Sequence, residues 1–218
     1  NGTDMVGLAE ADLDVIRLKM GLVFQYAALF DSLSVYDNVI FGVARHRHGT
    51  SRSDLDAVVR DRLAEVELPN IEKQFPSELS GGMQKRVGLA RAIVAQPRLL
   101  LFDEPLSNLD ADLREHLRVE IATLTRESGA TAVYITHDQS EAFALADRIG
   151  VLQHGLLAQL ATPEQLYQQP ATPGIARFTG IAGECTGTVT AVTGDRVRIR
   201  TGDHSIQARR IGPLPETQ

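Results

Sequence analysis

The chain of 218 residues has little cysteine, no basic excess and no long apolar run, and each scarcity excludes a class of protein. Cys185 is the only cysteine. A disulfide framework and a thiolate metal site are therefore excluded, which fits a reducing cytoplasm. The formal net charge is −6 and no basic tract is present, which argues against nucleic acid as the main partner. No apolar run approaches the ~18 residues that a membrane-spanning helix needs.

The segment from Leu79 to Asp110 carries most of the chemistry that the sequence indicates. It contains Ser80, Gly81 and Gly82, directly before a stripe of apolar residues at helical spacing. That stripe is formed by Met83, Val87, Ala90 and Val94. Glycines allow backbone N–H groups to approach an anion closely, and a helix N-terminus is partially positive. The pattern therefore predicts a helix that begins at a phosphate-facing turn.

Two predicted strands end in polar side chains. Leu99–Phe102 is fully apolar, as in buried parallel strands, and is followed by Asp103 and Glu104. Two carboxylates at the end of a buried strand are costly unless they bind a cation or polarise a ligand. Thr131–Ile135 is a second predicted strand, and His137 follows it. We expect these side chains at one edge of an open parallel sheet, the edge where such sheets bind ligands.

Two further helix starts are predicted from capping residues. Ser53, with Asp56 three residues later, predicts the N-cap of a helix that continues towards Val66. Asp138, with Glu141 three residues later, predicts a cap directly after His137.

These motifs resemble those of the ATP-binding cassette, the nucleotide-binding subunit of ABC transporters. Leu79–Met83 is similar to the signature of that family, Leu99–Asp103 to its Walker B strand and Ser107–Asp110 to its D-loop. His137 resembles the switch histidine. Gln25, at the end of the apolar sequence MGLVF, is similar to the glutamine of the Q-loop.

The resemblance implies an α/β fold with a P-loop NTPase-like (RecA-like) core. Its sheet would be mainly parallel, and a helical subdomain would occupy residues 26–95 approximately, within an ATP-binding domain of residues 1–180. From Ile181 onwards, short β-rich pieces alternate with Gly-Asp turns. Residues 181–218 are therefore predicted to form a small C-terminal β-rich extension, too short for a complete barrel domain.

The phosphate-binding loop of the family, G-x-x-x-x-G-K-[ST] (Walker A), is absent from the sequence. In the family this loop lies upstream of the Q-loop and supplies the backbone cradle, a lysine and a magnesium-binding hydroxyl. Asn1-Gly2 resembles the turn between the two loops. The favoured explanation is an N-terminal truncation, and the alternative is a naturally shortened, degenerate cassette. We expect no ATP hydrolysis by these 218 residues alone.

Cassettes of this family pair head to tail, which implies a second ATP-binding subunit as partner. In that pair Ser80, Gly81 and Gly82, with Met83 completing the signature, would grip the γ-phosphate of an ATP held by the partner. Asp110 would bridge the dimer.

The same resemblance assigns roles at the edge of the sheet, with ATP and Mg²⁺ as cofactors. Asp103 would hold Mg²⁺ through water, and Gln25 would complete its coordination. Glu104 would polarise the attacking water, and His137 would contact the γ-phosphate and stabilise developing charge.

The segment Tyr26–Gly42 is unusually apolar and aromatic for a loop. It is either plain core or, as the family implies, part of the groove that receives a coupling helix of a transmembrane permease subunit; docking is the favoured interpretation. The resemblance then implies a peripheral subunit on the cytoplasmic face of the inner membrane, which couples ATP hydrolysis to transport.

The class of transported substrate is the least determined part of the prediction. Leu106–Asp110, Thr162–Tyr167 and the β-rich tail resemble importers of sugars, polyamines and ferric iron. Tyr26–Val39 and Gly81–Ile93 look closer to lipid-trafficking cassettes. The tail favours the importer. A degenerate cassette that never hydrolyses ATP and serves only as a dimer partner is the other alternative, and the presence of both Glu104 and His137 argues against it.

Overall fold

The computed structural model describes residues 4–44, 51–180, 183 and 185–209. The chain divides into two compact units, Asn1–Glu141 and Ala142–Gln218. This division does not coincide with the domain boundary predicted at residue 180, which stays a prediction. The turn predicted at Asn1-Gly2 lies outside the described residues.

The first unit contains a parallel three-stranded sheet. Its strands are β1 (Met20–Val23), β2 (Leu99–Asp103) and β3 (Thr131–Ile135), in the order β1-β2-β3. Every pair is parallel, as predicted from the apolar strands. One face is covered, because Leu100 and Phe102 are fully buried. Since all strands run in one direction, the residues that follow them meet at one edge of the sheet.

Besides the sheet, the described part of the first unit contains helices, which make up about half of it. They are α1 (Glu10–Arg17), α2 (Val35–Ala44), α3 (Arg52–Glu65), α4 (Gly81–Ile93) and α5 (Ala111–Ser128), with a 3-10 turn at Pro76–Glu78. A sixth helix, α6 (Gln139–Leu145), crosses the boundary between the units. Helices α2, α3 and α4 lie within the range predicted for a helical subdomain, residues 26–95 approximately, and the subdomain itself stays a prediction.

Helix α4 lies closest to the sheet, and a glycine permits the approach. A Cβ on Gly21 of β1 would clash with the carbonyl oxygen of Ala92 in α4. The predicted apolar stripe faces inward, with Val87, Ala90 and Val94 buried in the core of this unit. Burial of each such valine contributes about 1.5–3 kcal/mol. The position of α4 in the first unit is therefore determined by tight packing.

Capping residues define where α6 and α3 begin. Asp138 accepts hydrogen bonds from the N–H groups of Ser140 and Glu141 at 2.7 and 3.3 Å, which confirms the cap predicted for α6. The prediction for α3 was wrong by two residues. Ser51 is the N-cap, accepting from Asp54 N at 3.2 Å, and Ser53 lies inside the helix. Both serines have an acidic residue three positions on, so the sequence pattern alone does not distinguish them.

The second unit begins with a hairpin that packs against short helices. Its strands are β4 (Ile149–Gln153) and β5 (Leu156–Ala161), joined by a turn in which His154 and Gly155 both have positive φ. The helices α7 (Pro163–Gln168) and α8 (Pro173–Phe178) supply Leu166 and Ile175 to a small apolar core.

The described part of the C-terminal segment forms an antiparallel three-stranded sheet, as the β-rich pattern predicted. It consists of β6 (Thr188–Thr193), β7 (Arg196–Thr201) and β8 (His204–Arg209), in chain order. In neither unit does a helix of the described residues have the length and apolar character needed to cross a membrane.

Candidate active site

A pocket of about 330 Å³ opens where the strands of the parallel sheet end. Gln25 follows β1, Glu104 follows β2 and His137 follows β3, and all three line this pocket. Three of the predicted site residues, far apart in sequence, are thus brought together. The parallel direction of the strands is the cause, because it delivers every strand's following residue to the same edge.

The carboxylate of Glu104 is the centre of this cluster. Nε2 of Gln25 donates to one of its oxygens at 3.4 Å, and Nδ1 of His137 lies 3.1 Å from the other. The Glu104 side chain is 30% exposed and that of His137 is 76% exposed. The carboxylate is therefore oriented by two neighbours while it stays accessible from the pocket.

The backbone of Glu104 is held in an unusual conformation. Its φ is +45°, in the left-handed region that residues other than glycine seldom adopt. Its N–H donates to the carbonyl of Ile135 at 2.9 Å, and its own carbonyl accepts from the hydroxyl of Ser107 at 2.9 Å. Such conformations cost about 1–3 kcal/mol and persist where the surroundings enforce them. The turn after β2 is thus built to present this one side chain.

Asp103 and Gln25 supply the oxygen atoms that magnesium prefers. Asp103 is the last residue of β2 and is exposed. Gln25 uses its nitrogen towards Glu104, which leaves the amide oxygen free to act as a ligand. Among the described residues no group of three or more His, Cys, Asp or Glu side chains could hold a metal ion. Magnesium bound with a nucleotide takes only one or two protein ligands besides phosphates and water, so the oxygen chemistry of these residues suits it. Of the two, Gln25 lines the pocket and Asp103 does not.

The signature residues lie at the N-terminus of α4 and do not line this pocket. Ser80 is the N-cap, and its hydroxyl oxygen accepts from Met83 N at 3.3 Å, so its hydrogen remains free to donate. A Cβ on Gly81 would meet nothing within 4 Å, whereas a Cβ on Gly82 would lie 2.8 Å from Cδ2 of Leu113. The side chain of Met83 is half-buried against the core. Ser80 and Gly81 therefore form the open part of the signature.

Asp110 caps the next helix. Its carboxylate accepts from Leu113 N at 2.9 Å at the start of α5, and the residue is exposed. It does not line the pocket with Glu104. Because Leu113 also packs against Gly82, the beginnings of α4 and α5 lie side by side.

Several polar residues that line the pocket were not predicted from the sequence as site residues. Arg114 is one, and its guanidinium donates to the Leu109 carbonyl at 2.9 Å. Glu141 is another: it is buried and accepts from the hydroxyls of Tyr134 and Thr136 at 3.0 and 2.8 Å. Burial, and then the charge of Glu141, raise the pKa of Tyr134. The only sequence signal for Glu141 was its spacing from Asp138, which indicated a helix cap and not a buried carboxylate.

A second cavity, of about 610 Å³, is larger but contains none of the predicted site residues. Its lining includes the acidic side chains of Glu67 and Glu120 together with Arg86. We place the candidate site at the smaller pocket, because only there do an amide, a carboxylate and an imidazole converge.

Comparisons with known proteins identify the class of the fold. A family model described as ABC transporter matches residues 1–107. The solved dimeric structure of the ATP-binding cassette MJ0796, in a post-hydrolysis state bound to ADP and Pi, superposes with a TM-score of 0.66 and 30% identity. The superposition covers 75% of this chain and 71% of the cassette chain. The fold is therefore that of an ATP-binding cassette.

Curated relatives agree with this class. The Spermidine/putrescine import ATP-binding protein PotA of Rubrobacter xylanophilus is 44% identical over 185 residues, 85% of this chain and 48% of that protein. The Fe(3+) ions import ATP-binding protein FbpC of Agrobacterium fabrum is 42% identical over 212 residues, 97% of this chain and 58% of that protein. The chain thus spans roughly half the length of the curated relatives it matches. It belongs to the ATP-binding cassette family of ABC transporters, which confirms the resemblance seen in its motifs.

Proposed function

We propose that this chain is part of the ATP-binding subunit of an ABC importer, and that its edge-of-sheet cluster hydrolyses ATP. One observation carries the proposal: the Glu104 carboxylate is held between Gln25 and His137 and is still open to the pocket. A carboxylate oriented in this way is suited to accept a proton from an attacking water.

Each neighbour of Glu104 has a distinct task in this proposal. Gln25 and Asp103 would hold Mg²⁺, which would neutralise charge on the phosphates. His137, largely exposed beside Glu104, donates towards the γ-phosphate and stabilises the charge that develops there. Glu104 positions the water. A subunit without catalytic work has no physical need for this arrangement, which weighs against a non-hydrolysing dimer partner.

The location of the signature supports a head-to-tail pair with a second ATP-binding subunit. Ser80 and Gly81 are exposed and lie outside the pocket that contains Glu104. A helix N-terminus with a free hydroxyl and an open glycine suits a phosphate that another subunit presents. Asp110, exposed at the neighbouring start of α5, faces the same partner.

The segment Tyr26–Gly42 is proposed as the docking surface for a permease subunit. Tyr26 is 73% exposed, and Phe30 and Phe41 stack with ring centroids 4.4 Å apart while both stay exposed. Beneath them Asn38 is fully buried, and its amide donates to the carbonyls of Phe30, Leu33 and Ser34. A rigid base with exposed aromatic rings is typical of a protein interface. The subunit would then sit peripherally on the cytoplasmic face of the inner membrane.

For the transported substrate we favour a polyamine or ferric iron, with sugars as a further importer class. The names of the relatives refer to spermidine/putrescine import and Fe(3+) ions import. None of the relatives reported above is a lipid-trafficking cassette, so the importer alternative is the stronger one.

The experiment is an ATPase measurement on the native protein with Glu104→Gln. The amide keeps the shape of the side chain but cannot accept the proton, so the rate should fall about 100-fold or more while nucleotide binding persists. Glu115→Gln is the matched control, because Glu115 is an exposed carboxylate on α5 that pairs with Arg118. An unchanged rate in Glu104→Gln would refute hydrolysis at this site and make the non-hydrolysing partner the better explanation.

A further inference from the structure

Helix α4 carries a lysine whose ammonium group binds the turn after Glu104. Nζ of Lys85 donates to the carbonyl of Pro105 at 2.8 Å and to that of Ser107 at 2.6 Å. These carbonyls flank the turn in which Ser107 also donates to the Glu104 carbonyl. Lys85 therefore binds Pro105, the residue that follows Glu104, whose carboxylate is proposed to position the water. The helix that carries Lys85 begins at the signature.

The same helix carries an arginine that binds the turn after Gln25. The guanidinium of Arg91 donates to the carbonyl of Ala28 at 2.7 Å and also to that of Ala27. Both alanines have positive φ, +59° for Ala27 and +45° for Ala28. A left-handed pair of this kind is strained, so the turn depends on contacts such as these to keep its shape.

Both cations are unusual because their hydrogen bonds go to main-chain carbonyls. Across the described residues neither Lys85 nor Arg91 lies within ion-pair distance of a carboxylate, and both direct their charge at main-chain carbonyls. Burial lowers the pKa of each side chain below its ordinary value. A partly buried cation is expensive, and an apolar side chain would fill the same space at lower cost. Packing alone therefore does not explain the two residues.

The two turns held by α4 deliver the two side chains that touch each other in the pocket. Gln25 and Glu104 lie 3.4 Å apart, although 79 positions separate them in the chain. We infer that Lys85 and Arg91 are positioning residues through which the signature helix holds Gln25 and Glu104 in contact. Because α4 is one continuous helix of 13 residues, a shift at Ser80 moves both turns together. The inference rests on the proposed hydrolysis and adds a link between the signature of a subunit and its own catalytic pair.

The test uses Lys85→Met and Arg91→Met in the native protein. Each variant keeps an unbranched side chain but removes the donors to the carbonyls. Arg86→Met is the matched control, since Arg86 is a neighbouring, largely buried cation on α4 that pairs with carboxylates, Glu67 and Glu120, outside the pocket. Two quantities are measured: kcat and KM for ATP, and amide hydrogen exchange without nucleotide.

The expected result is specific to position. Lys85→Met lowers kcat by about 10- to 100-fold with KM within about 2-fold, because a small displacement of an aligned group has this effect. Exchange speeds up at Ser107 in Lys85→Met and at Ala27 and Ala28 in Arg91→Met. Lys85→Arg, which can still donate to both carbonyls, restores most of kcat. Arg86→Met lowers the melting temperature but leaves kcat and these amides unchanged.

Three outcomes would overturn the inference. One is a folded Lys85→Met with wild-type kcat. Another is an equal loss of kcat in Arg86→Met, which would mean that only general stability matters. The third is a change confined to KM. If Lys85→Met does not fold, the same exchange measurement on Lys85→Gln takes its place as the test of the inference. Failure of the proposed function is recognised separately, because then Glu104→Gln itself leaves ATP hydrolysis unaffected.

Discussion

Replacement of Glu120 by glutamine should change how stability depends on pH. Glu120 lies on α5, and its side chain is only 11% exposed. Arg86 Nε lies 3.2 Å from Oε2, yet within the described part of the chain neither carboxylate oxygen makes a hydrogen bond. Burial is the main cause that raises the pKa of Glu120 from 4.5 to about 7. The attraction of Arg86 lowers this pKa, and the repulsion from Glu67 raises it.

The sign and size follow from proton linkage. Because the pKa is higher in the folded state, the folded state binds the proton more tightly. This contribution to stability is complete below pH 4.5 and is lost as the pH rises through about 7. At roughly 1.4 kcal/mol per pKa unit, the loss amounts to about 3 kcal/mol between pH 4.5 and pH 8.

The assay is urea-induced unfolding of wild type and Glu120→Gln at pH 5 and pH 8. Glutamine is neutral at both, so the variant should exceed wild type by about 1 kcal/mol at pH 5 and by about 3 kcal/mol at pH 8. Glu115→Gln, an exposed control on the same helix, should show no such difference. If Glu120→Gln is instead less stable at pH 8, the Arg86 ion pair outweighs the cost of burial and the reasoning is refuted.

Three further predictions concern single side chains. Gly82→Ala places a Cβ 2.8 Å from the Cδ2 methyl group of Leu113, which must shift, so this variant should be less stable than Gly81→Ala by about 1 kcal/mol in urea unfolding; equal stabilities would contradict this. Asn38→Ala leaves buried carbonyls unpaired and should lower the melting temperature by several degrees, ~2 kcal/mol or more. Asp110→Ala removes a helix cap and should cost about 1 kcal/mol in urea unfolding; no loss would show that the cap is dispensable.

Strand direction and helix periodicity were readable from the sequence because they depend on neighbours along the chain. The apolar run Leu99–Phe102 predicted a buried parallel strand, and β2 is central in a parallel sheet. The apolar spacing in α4 correctly predicted its buried face. Ser51 and Ser53 show the limit, since both fit the capping pattern and only the hydrogen bond from Asp54 N identifies Ser51 as the cap.

The polar contacts around the site depend on tertiary structure. In the sequence, Lys85 and Arg91 look like ordinary solvent-facing cations of a helix. Their separation along the chain from Glu104 and Gln25 does not predict which carbonyls they bind. Glu141 looked like a capping residue and is a buried acceptor. Long-range hydrogen bonds of this kind have no periodic signal, because the partner is brought close by packing of other elements.

The amino-acid sequence by itself determined the family, the order of the elements and the edge of the sheet at which Asp103, Glu104 and His137 would lie. Those features follow from local apolar patterns and from residues placed directly after strands. Tertiary structure is needed to show that Gln25 and His137 both reach one carboxylate, that Ser80 and Gly81 lie outside the pocket that contains it, and which helix holds the two turns. The physical reason is that a contact of about 3 Å between distant residues depends on how helices pack on the sheet, which no local pattern specifies.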